Sequence, residues 1–373
     1  MSARVPFAPA FDHLVYMRVF EGCNLHCRHC FIPKNPKKMT HDDVAREGAA
    51  LMKFARPGQH ILVQWHGGEP TMFGAAWLEE AMDRVEQACP ELTFSHGIQT
   101  NLMTYSEEWA DLYRRRFGGN VGVSWDPKIR LLPGGQQETN ATYEERFWKQ
   151  LERLIADGLE PYLVMTATSI FFKTFSNPVR LFEMLAGKGV RRAHIERLTE
   201  TGYARESWAD IGVDNLGYST GMGRILKAYE LWKRQDGNGG LLSLSPFDGL
   251  FSSIENMNRG AGGYGCWSGH CDTKFHTIDS NGYKMGCTAL TSEMDNRNAS
   301  DTLVFAKSFA ETRKERRIIN CADCPYRTIC SSGCLALSMD DGSGECSGGR
   351  RMFEAAAQVV ATRPVDHEGR TAA

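Results

Sequence analysis

The sequence predicts an α/β fold built on a parallel sheet, followed by a smaller module organised by metal. Two observations carry this expectation. From residue 14 to about 245, strand-like runs alternate with helix-like stretches, the pattern of βαβ units. Beyond that point glycines crowd between Gly260 and Gly269, and eight of the twelve cysteines lie from Cys266 to Cys346. A chain of 373 residues, 42% hydrophobic and 24% charged, has the composition of a soluble globular protein and can bury one large or two modest cores.

In chain order, strands are expected at 14–20, 60–65, 93–99, 120–125, 161–166 and 192–198, all parallel, with helices between them. Thr40 with Asp43, and Thr142 with Glu145, have capping-box spacing at helix starts. The second of these helices continues with Phe147, Leu151, Leu154 and Ile155 on one face. It stops at Gly158, a residue suited to a left-handed C-terminal cap. A later helix carries Ile225, Tyr229 and Trp232 on one face and ends near Gly237; these aromatics read as core. Residues 275–279 and 283–285 flank Ser280-Asn281-Gly282, a hairpin signal that brings Cys271 and Cys287 toward one open end. A short helix at 352–362 precedes a polar end, 363–373, expected to be disordered. Cys89 stands outside every cysteine pattern and reads as a buried helix residue.

A net charge of -2 with no long basic run gives no electrostatic case for nucleic acid or an anionic membrane. Arg114-Arg-Arg116 and Lys314-Glu-Arg-Arg317 read as solvated helix faces. No apolar run approaches the roughly 18 residues that span a bilayer, and Asp12 and His13 interrupt the place of a signal-peptide core. A cytoplasmic protein is expected, and there so many cysteines point to metal ligation rather than disulfides.

The first cysteine group lies in FEGCNLHCRHCF, directly after the first strand. Cys23, Cys27 and Cys30 can hold three irons of a cubane cluster and leave the fourth iron open for chemistry. A structural zinc prefers four closed ligands, and no fourth cysteine or well-spaced histidine follows nearby. Ligands of parallel α/β folds bind at the carboxyl ends of the strands, which makes the residues there informative. The second strand ends in His66-Gly67-Gly68-Glu69-Pro70, whose adjacent glycines permit close backbone approach to a polar ligand. The third ends in Gln99-Thr-Asn101, the fourth in Ser124-Trp-Asp126, and the sixth in Glu196-Arg197. Taken singly, Asn, Ser and Asp at such places are ordinary turn residues, and Glu196 with Arg197 reads equally as a rim salt bridge.

The C-x3-C-x2-C spacing, with His29 before the last cysteine and GGEP downstream, resembles the radical S-adenosylmethionine (SAM) enzymes. That resemblance implies SAM chelating the open iron, the His66–Glu69 motif at its amino group, and His29, Asn101, Ser124 and Asp126 as further SAM contacts. The run Cys271-x10-Gly282-x4-Cys287, Cys321-x2-Cys324-x5-Cys330-x3-Cys334 and Cys346, with Cys266 ahead of it, looks like the SPASM extension. Together the motifs cover nearly the whole chain and resemble anaerobic sulfatase-maturating enzymes and related peptide-modifying maturases. Implied are a partial (β/α)6 barrel over 1–245, a SPASM domain over 246–351, and a short helix with a tail over 352–373. Cys266, Cys271, Cys287 and Cys334 would ligate one auxiliary [4Fe-4S] cluster, and Cys321, Cys324, Cys330 and Cys346 a second.

The activity so implied is reductive cleavage of SAM to a 5'-deoxyadenosyl radical that abstracts hydrogen from a peptide or protein side chain. Glu196, Tyr203 and Asp248 are candidate catalytic groups, and a flavodoxin or ferredoxin is the expected low-potential electron donor. Two departures stand out. Thr288 follows Cys287 where sulfatase-maturating enzymes carry an Asp base, and His66 replaces a common Gln. Thr is no base near neutral pH, which weakens a formylglycine-forming reading. Only 22 residues precede Cys23, so a leader-binding domain is expected to be absent or supplied by a separate protein. The alternatives are a radical SAM dehydrogenase acting on a small metabolite and a non-catalytic iron-sulfur or zinc protein.

Overall fold

The computed structural model describes residues 11–32, 37–294 and 302–363. Its strands are β1 (His13–Arg18), β2 (His26–Cys27), β3 (His60–His66), β4 (Thr93–Thr100), β5 (Asn120–Ser124), β6 (Arg130–Leu131), β7 (Glu160–Ala167), β8 (Arg192–Arg197), β9 (Ser243–Ser245), β10 (Phe275–Asp279) and β11 (Gly282–Met285). All six expected strands stand in one sheet of order β11-β10-β1-β3-β4-β5-β7-β8-β9, parallel except for β11. The result is an α/β partial barrel with helices outside. The small β2 and β6 pair with each other.

The strands alternate as a barrel requires. Ile61, Val63 and Trp65 of β3 and Leu163 and Met165 of β7 are fully buried against the helices. Each such side chain contributes about 1.5–3 kcal/mol by leaving water. The residues between them, Gln64, His66, Tyr162 and Thr166, point to the inner face and keep partial accessibility. The same period puts Tyr16, His194 and Glu196 on the inner face of β1 and β8. A polar, partly solvated interior therefore opens at the strands' carboxyl ends.

The hairpin read at Ser280-Asn281-Gly282 is present, with Gly282 at φ +103° and Asp279 paired to Gly282. It does not stand apart from the barrel. β10 pairs in parallel with β1 along Leu14–Arg18, so the strand leading to Cys287 extends the same sheet that leads to Cys23. A buried ionic cluster locks this seam: Arg18 pairs with Asp279 and Glu21, and Lys284 with Asp279.

Several local expectations need correction. Thr40 caps the helix His41–Gly48 with the full capping box, but Thr142 lies inside a helix that already starts at Thr139. There Thr139 N bonds Gln136 O, and the extra turn removes the need for a cap at Thr142. Arg114 and Arg115 are exposed and Arg116 is partly buried in pairs with Asp83 and Glu86. Arg316 is no solvated residue either: its guanidinium donates to the carbonyls of Cys334 and Leu337. The helix at the chain's end, Arg350–Ala361, packs on the helices Asn215–Lys233 and Phe247–Glu255, with Met352 and Phe353 buried. Residues 364–373, expected to be disordered, lie outside the described residues. Cys89 is buried and donates to Gly48 O.

Among the described residues, no helix is long and apolar enough to cross a membrane.

Candidate functional site

The loop of Cys23, Cys27 and Cys30 is clamped by backbone from three directions. Gly68 N and Glu69 N donate to Phe20 O and Gly22 O at 2.9 and 3.0 Å. A Cβ on Gly67 would sit 2.3 Å from Phe20 O, and one on Gly68 2.0 Å from Gly22 O, so only glycine allows this approach. From the second side β6 pairs with β2, setting Cys27 opposite Arg130. From the third, Ala204 N donates to Cys30 O at 3.2 Å.

Two buried carboxylates brace the loop from behind. Glu69, 1% exposed, accepts from Thr71 N, Thr71 Oγ1, Thr100 Oγ1 and Asn101 N, which ties the end of β3 to the end of β4. Burial raises its pKa against the pull of those donors. Asp126, wholly buried, accepts from Thr166 N, Arg130 and His29 Nε2, the last at 3.2 Å. Burial opposes its ionisation, but the charges of His29 and Arg130 win and hold its pKa below the usual range. Both carboxylates are thus fully engaged with protein, and their route to a ligand runs through the residues they orient. Asn101 is one of these: its Nδ2 lies 2.7 Å from Asn24 Oδ1 and 3.8 Å from Cys23 Sγ. His29 is another, and its buried Nδ1 has no partner among the described residues. Ser124 Oγ accepts from Gln99 Nε2 at 2.7 Å.

All twelve cysteines are free thiols. Burial lifts the pKa of Cys23 and Cys27, the latter to about 12 against the pull of Arg130; Cys27 adds to the rise at Cys23, and Cys30 to that at Cys27. Bare thiolates crowded in this way repel one another, and bound iron removes that cost, so the donor set suits a cluster. The other eight fall into two groups. Cys266, Cys271, Cys287 and Cys334 are one another's strongest thiol neighbours; the Cys271 thiol donates to Cys287. Backbone N–H groups of Ala289 and Leu290 also hold Cys287 down. Cys321, Cys324, Cys330 and Cys346 form the second group around a cavity of about 280 Å³, into whose wall Ser332 also packs. Among the described residues, no three His, Cys, Asp or Glu side chains converge as ligands of a single ion would. Thiolates that each bind a different iron of a cluster need not converge on one point.

Between the first cysteine loop and the Cys266 group lies the barrel interior. Tyr16 faces Cys287, Glu196, Cys266 and Cys271 across it, with the His66 ring 6.1 Å away. Burial and the Arg18 charge push the His66 pKa down to about 4, so it is neutral at pH 7. The Glu196 side chain, on the inner face of β8, is 44% accessible, as expected of an acid facing solvent. Burial works against its charge, but His194 at 3.1 Å and Arg197 N keep the pKa low. Cys266 Sγ lies 3.9 Å from Glu196 Oε1, and His194 leads on through Ser245 to Tyr264.

The other two candidate catalytic residues are elsewhere. Tyr203 sits beside the cysteine loop, its ring 6.0 Å from that of His26 and its neighbour Ala204 bonded to Cys30 O. Asp248 binds Tyr229, Lys233, Ser243 Oγ and Leu244 N. Ser243 pairs with Arg192, four residues before Glu196, which puts this network about 13 Å toward the opposite end of the strands. Arg130, Tyr16 and His194 escaped the sequence reading. For Tyr16 and His194 the inward phase of the strand was an available signal; for Arg130 there was none beyond its i,i+4 spacing to Asp126.

Residues 17–126 match the model of the radical SAM superfamily. The serine-type anaerobic sulfatase-maturating enzyme of Klebsiella pneumoniae is 21% identical over 94% of this chain and 88% of its own length. The cysteine-type enzyme of Clostridium novyi is 23% identical over 84% of this chain and 85% of its own. Among solved structures, native anSMEcpe with bound AdoMet superposes with a TM-score of 0.64 at 18% identity, covering 93% of this chain and 98% of that one. SuiB of Streptococcus suis bound to the precursor peptide SuiA gives 0.53 at 14% identity, over 88% and 72%. Residues 17–126, which include the Cys23 loop, thus match the radical SAM superfamily, and the chain is similar along nearly its full length to anaerobic sulfatase-maturating enzymes, whose fold it shares.

Proposed function

We propose that this protein is a SPASM-type radical SAM enzyme that modifies a peptide or protein side chain. The observation that carries the reading is the chain of neighbours between the two thiol groups: His66, beside the glycines that clamp the three-thiol loop, has its ring 6.1 Å from that of Tyr16, and Tyr16 in turn faces Glu196 and the Cys266 group. When bound, SAM and the cluster at Cys23, Cys27 and Cys30 supply a 5'-deoxyadenosyl radical through one-electron reduction. In this reading the Gly67-Gly68 backbone, Asn101, Ser124 and the free Nδ1 of His29 hold SAM. Glu69 and Asp126 keep those groups in register, and neutral His66 lines the barrel interior without adding charge.

The eight remaining thiols would hold two fully ligated auxiliary clusters, which accept or relay an electron and tie the loops of their module together. Glu196, beside Cys266 and facing Tyr16, is the carboxylate this reading puts toward a substrate. Thr288, buried at the start of the helix Thr288–Met294, offers no base, so formylglycine formation by a carboxylate at that position is not proposed. The peptide-bound structures of anSMEcpe and SuiB support a peptide rather than a metabolite. Electrons would come from a low-potential donor such as a flavodoxin or ferredoxin.

The test is anaerobic incubation of reconstituted protein with dithionite and SAM. About twelve irons with matching sulfide and release of 5'-deoxyadenosine are expected. Absence of 5'-deoxyadenosine, or an unchanged yield after replacing Cys23, Cys27 and Cys30 by Ala, would sink the proposal.

A further inference from the structure

We infer that Arg130 sets the electron affinity of the open-iron cluster by donating a charged hydrogen bond to the sulfur of Cys27. The inference rests on the cluster assignment proposed above. The β2–β6 pairing sets Arg130 directly opposite Cys27, and its Nη1 lies 3.9 Å from Cys27 Sγ. The guanidinium cannot swing away, because Nε and Nη2 hold Asp126 Oδ2 at 2.9 and 2.8 Å. Asp126 is itself fixed by Thr166 N and His29. The Arg130 side chain is 11% exposed, so water screens its charge poorly. Cys23, by contrast, receives only neutral donors among the described residues, Leu25 N at 3.4 Å and the amide of Asn101.

A three-thiolate [4Fe-4S] cluster is anionic and gains a further negative charge on reduction. A fixed cation and a hydrogen bond to sulfur both favour the reduced form, and these are among the factors that set cluster potentials. Arg130 therefore eases electron entry from a donor, while Asp126 aims the guanidinium at the sulfur. Asp126, which acts through Arg130, is in this sense a positioning residue.

The experiment is an EPR-monitored redox titration of fully reconstituted protein without SAM, native against Arg130→Met, Arg130→Gln and Arg130→Lys. The open-iron signal is identified as the one missing when Cys23, Cys27 and Cys30 are replaced by Ala. If no signal is lost in that variant, the cluster assignment itself fails. Given the signal, Arg130→Met is expected to weaken electron affinity about tenfold, a shift of about 59 mV to more negative potential for one electron. Arg130→Lys should recover part of the shift, and the auxiliary signals should not move. An unchanged midpoint in Arg130→Met overturns the inference. If Arg130→Met cannot hold the cluster, Arg130→Gln decides: an unshifted midpoint, or loss of the cluster there too, makes the role purely structural.

Discussion

The loop of Cys23, Cys27 and Cys30 is held by backbone from three directions, whereas the segment from Cys321 to Cys346 contains no strand or helix beyond one isolated bridge between Asp340 and Cys346. The first region is shaped by peptide hydrogen bonds from the end of β3, from β6 and from the Gly202–Arg205 turn. The second surrounds a cavity and is moored by a few side chains. Arg197 reaches Ser347 O, Asn215 reaches Ser338 O and Glu345 O, and Arg316 holds Cys334 O. The difference matches the tasks proposed for them. A cluster with an open iron must present that iron in a fixed direction, so its loop is preorganised by the sheet. A fully ligated cluster needs no such aim and can itself complete the fold around it.

The strongest way to break this comparison is to remove iron. Chelation should lower hydrogen-exchange protection across 321–346 by about a hundredfold, the linkage expected for a site saturated a hundredfold above its Kd. The amides of Gly68, Glu69 and Arg28, which bond backbone around the Cys23 loop, should remain protected. Equal loss in both regions would show that the sheet does not shape the first site.

A smaller and more local effect is expected from Gly68→Ala. Its Cβ would fall 2.0 Å from Gly22 O, a backbone atom that cannot turn aside. The clash should cost about 1–3 kcal/mol and displace the Cys23 loop. Iron content should then drop from about twelve toward about eight, because the eight thiols of the C-terminal module are untouched. Full iron content with undiminished 5'-deoxyadenosine would contradict the clamp.

The mildest prediction concerns the seam between the regions. His276 on β10 is fully buried, bonded to His13 and Tyr283 and stacked on Phe54, and burial pushes its pKa to about 3. A histidine lowered on folding binds fewer protons folded than unfolded between its two pKa values. Its contribution to stability is therefore complete above about pH 6.5 and is lost as pH falls toward 3. By pH 4 the loss should reach about 3 kcal/mol, read as a falling Tm that His276→Asn flattens. A native acid limb no steeper than that of the variant would remove His276 from the seam.

Much of this molecule was legible without coordinates. The six parallel strands, the hairpin at Gly282 and the Gly158 helix stop follow from periods and turn chemistry that act over a few residues. The ends of strands also marked the right neighbourhood: His66, Asn101, Asp126 and Glu196 all gather near the cysteine loop or the interior. What those residues do there was another matter. Glu69 and Asp126 read as groups free to meet a ligand, yet each spends its oxygens on protein donors. Asp248, close in sequence to the second cysteine set, turned to the opposite end of the strands.

The sequence by itself determined the six strands of the barrel half and their parallel run, the spacing of the cysteines and the close backbone approach at Gly67 and Gly68, because each depends on local spacing or on one side chain's absence. Only the tertiary structure decided that β10 joins β1 and that Arg130 faces Cys27. Those pairs lie from 103 residues apart, for Arg130 with Cys27, to 261, for Arg18 with Asp279. A hydrogen bond across such a distance is set by how the sheet closes, which no short window of sequence contains.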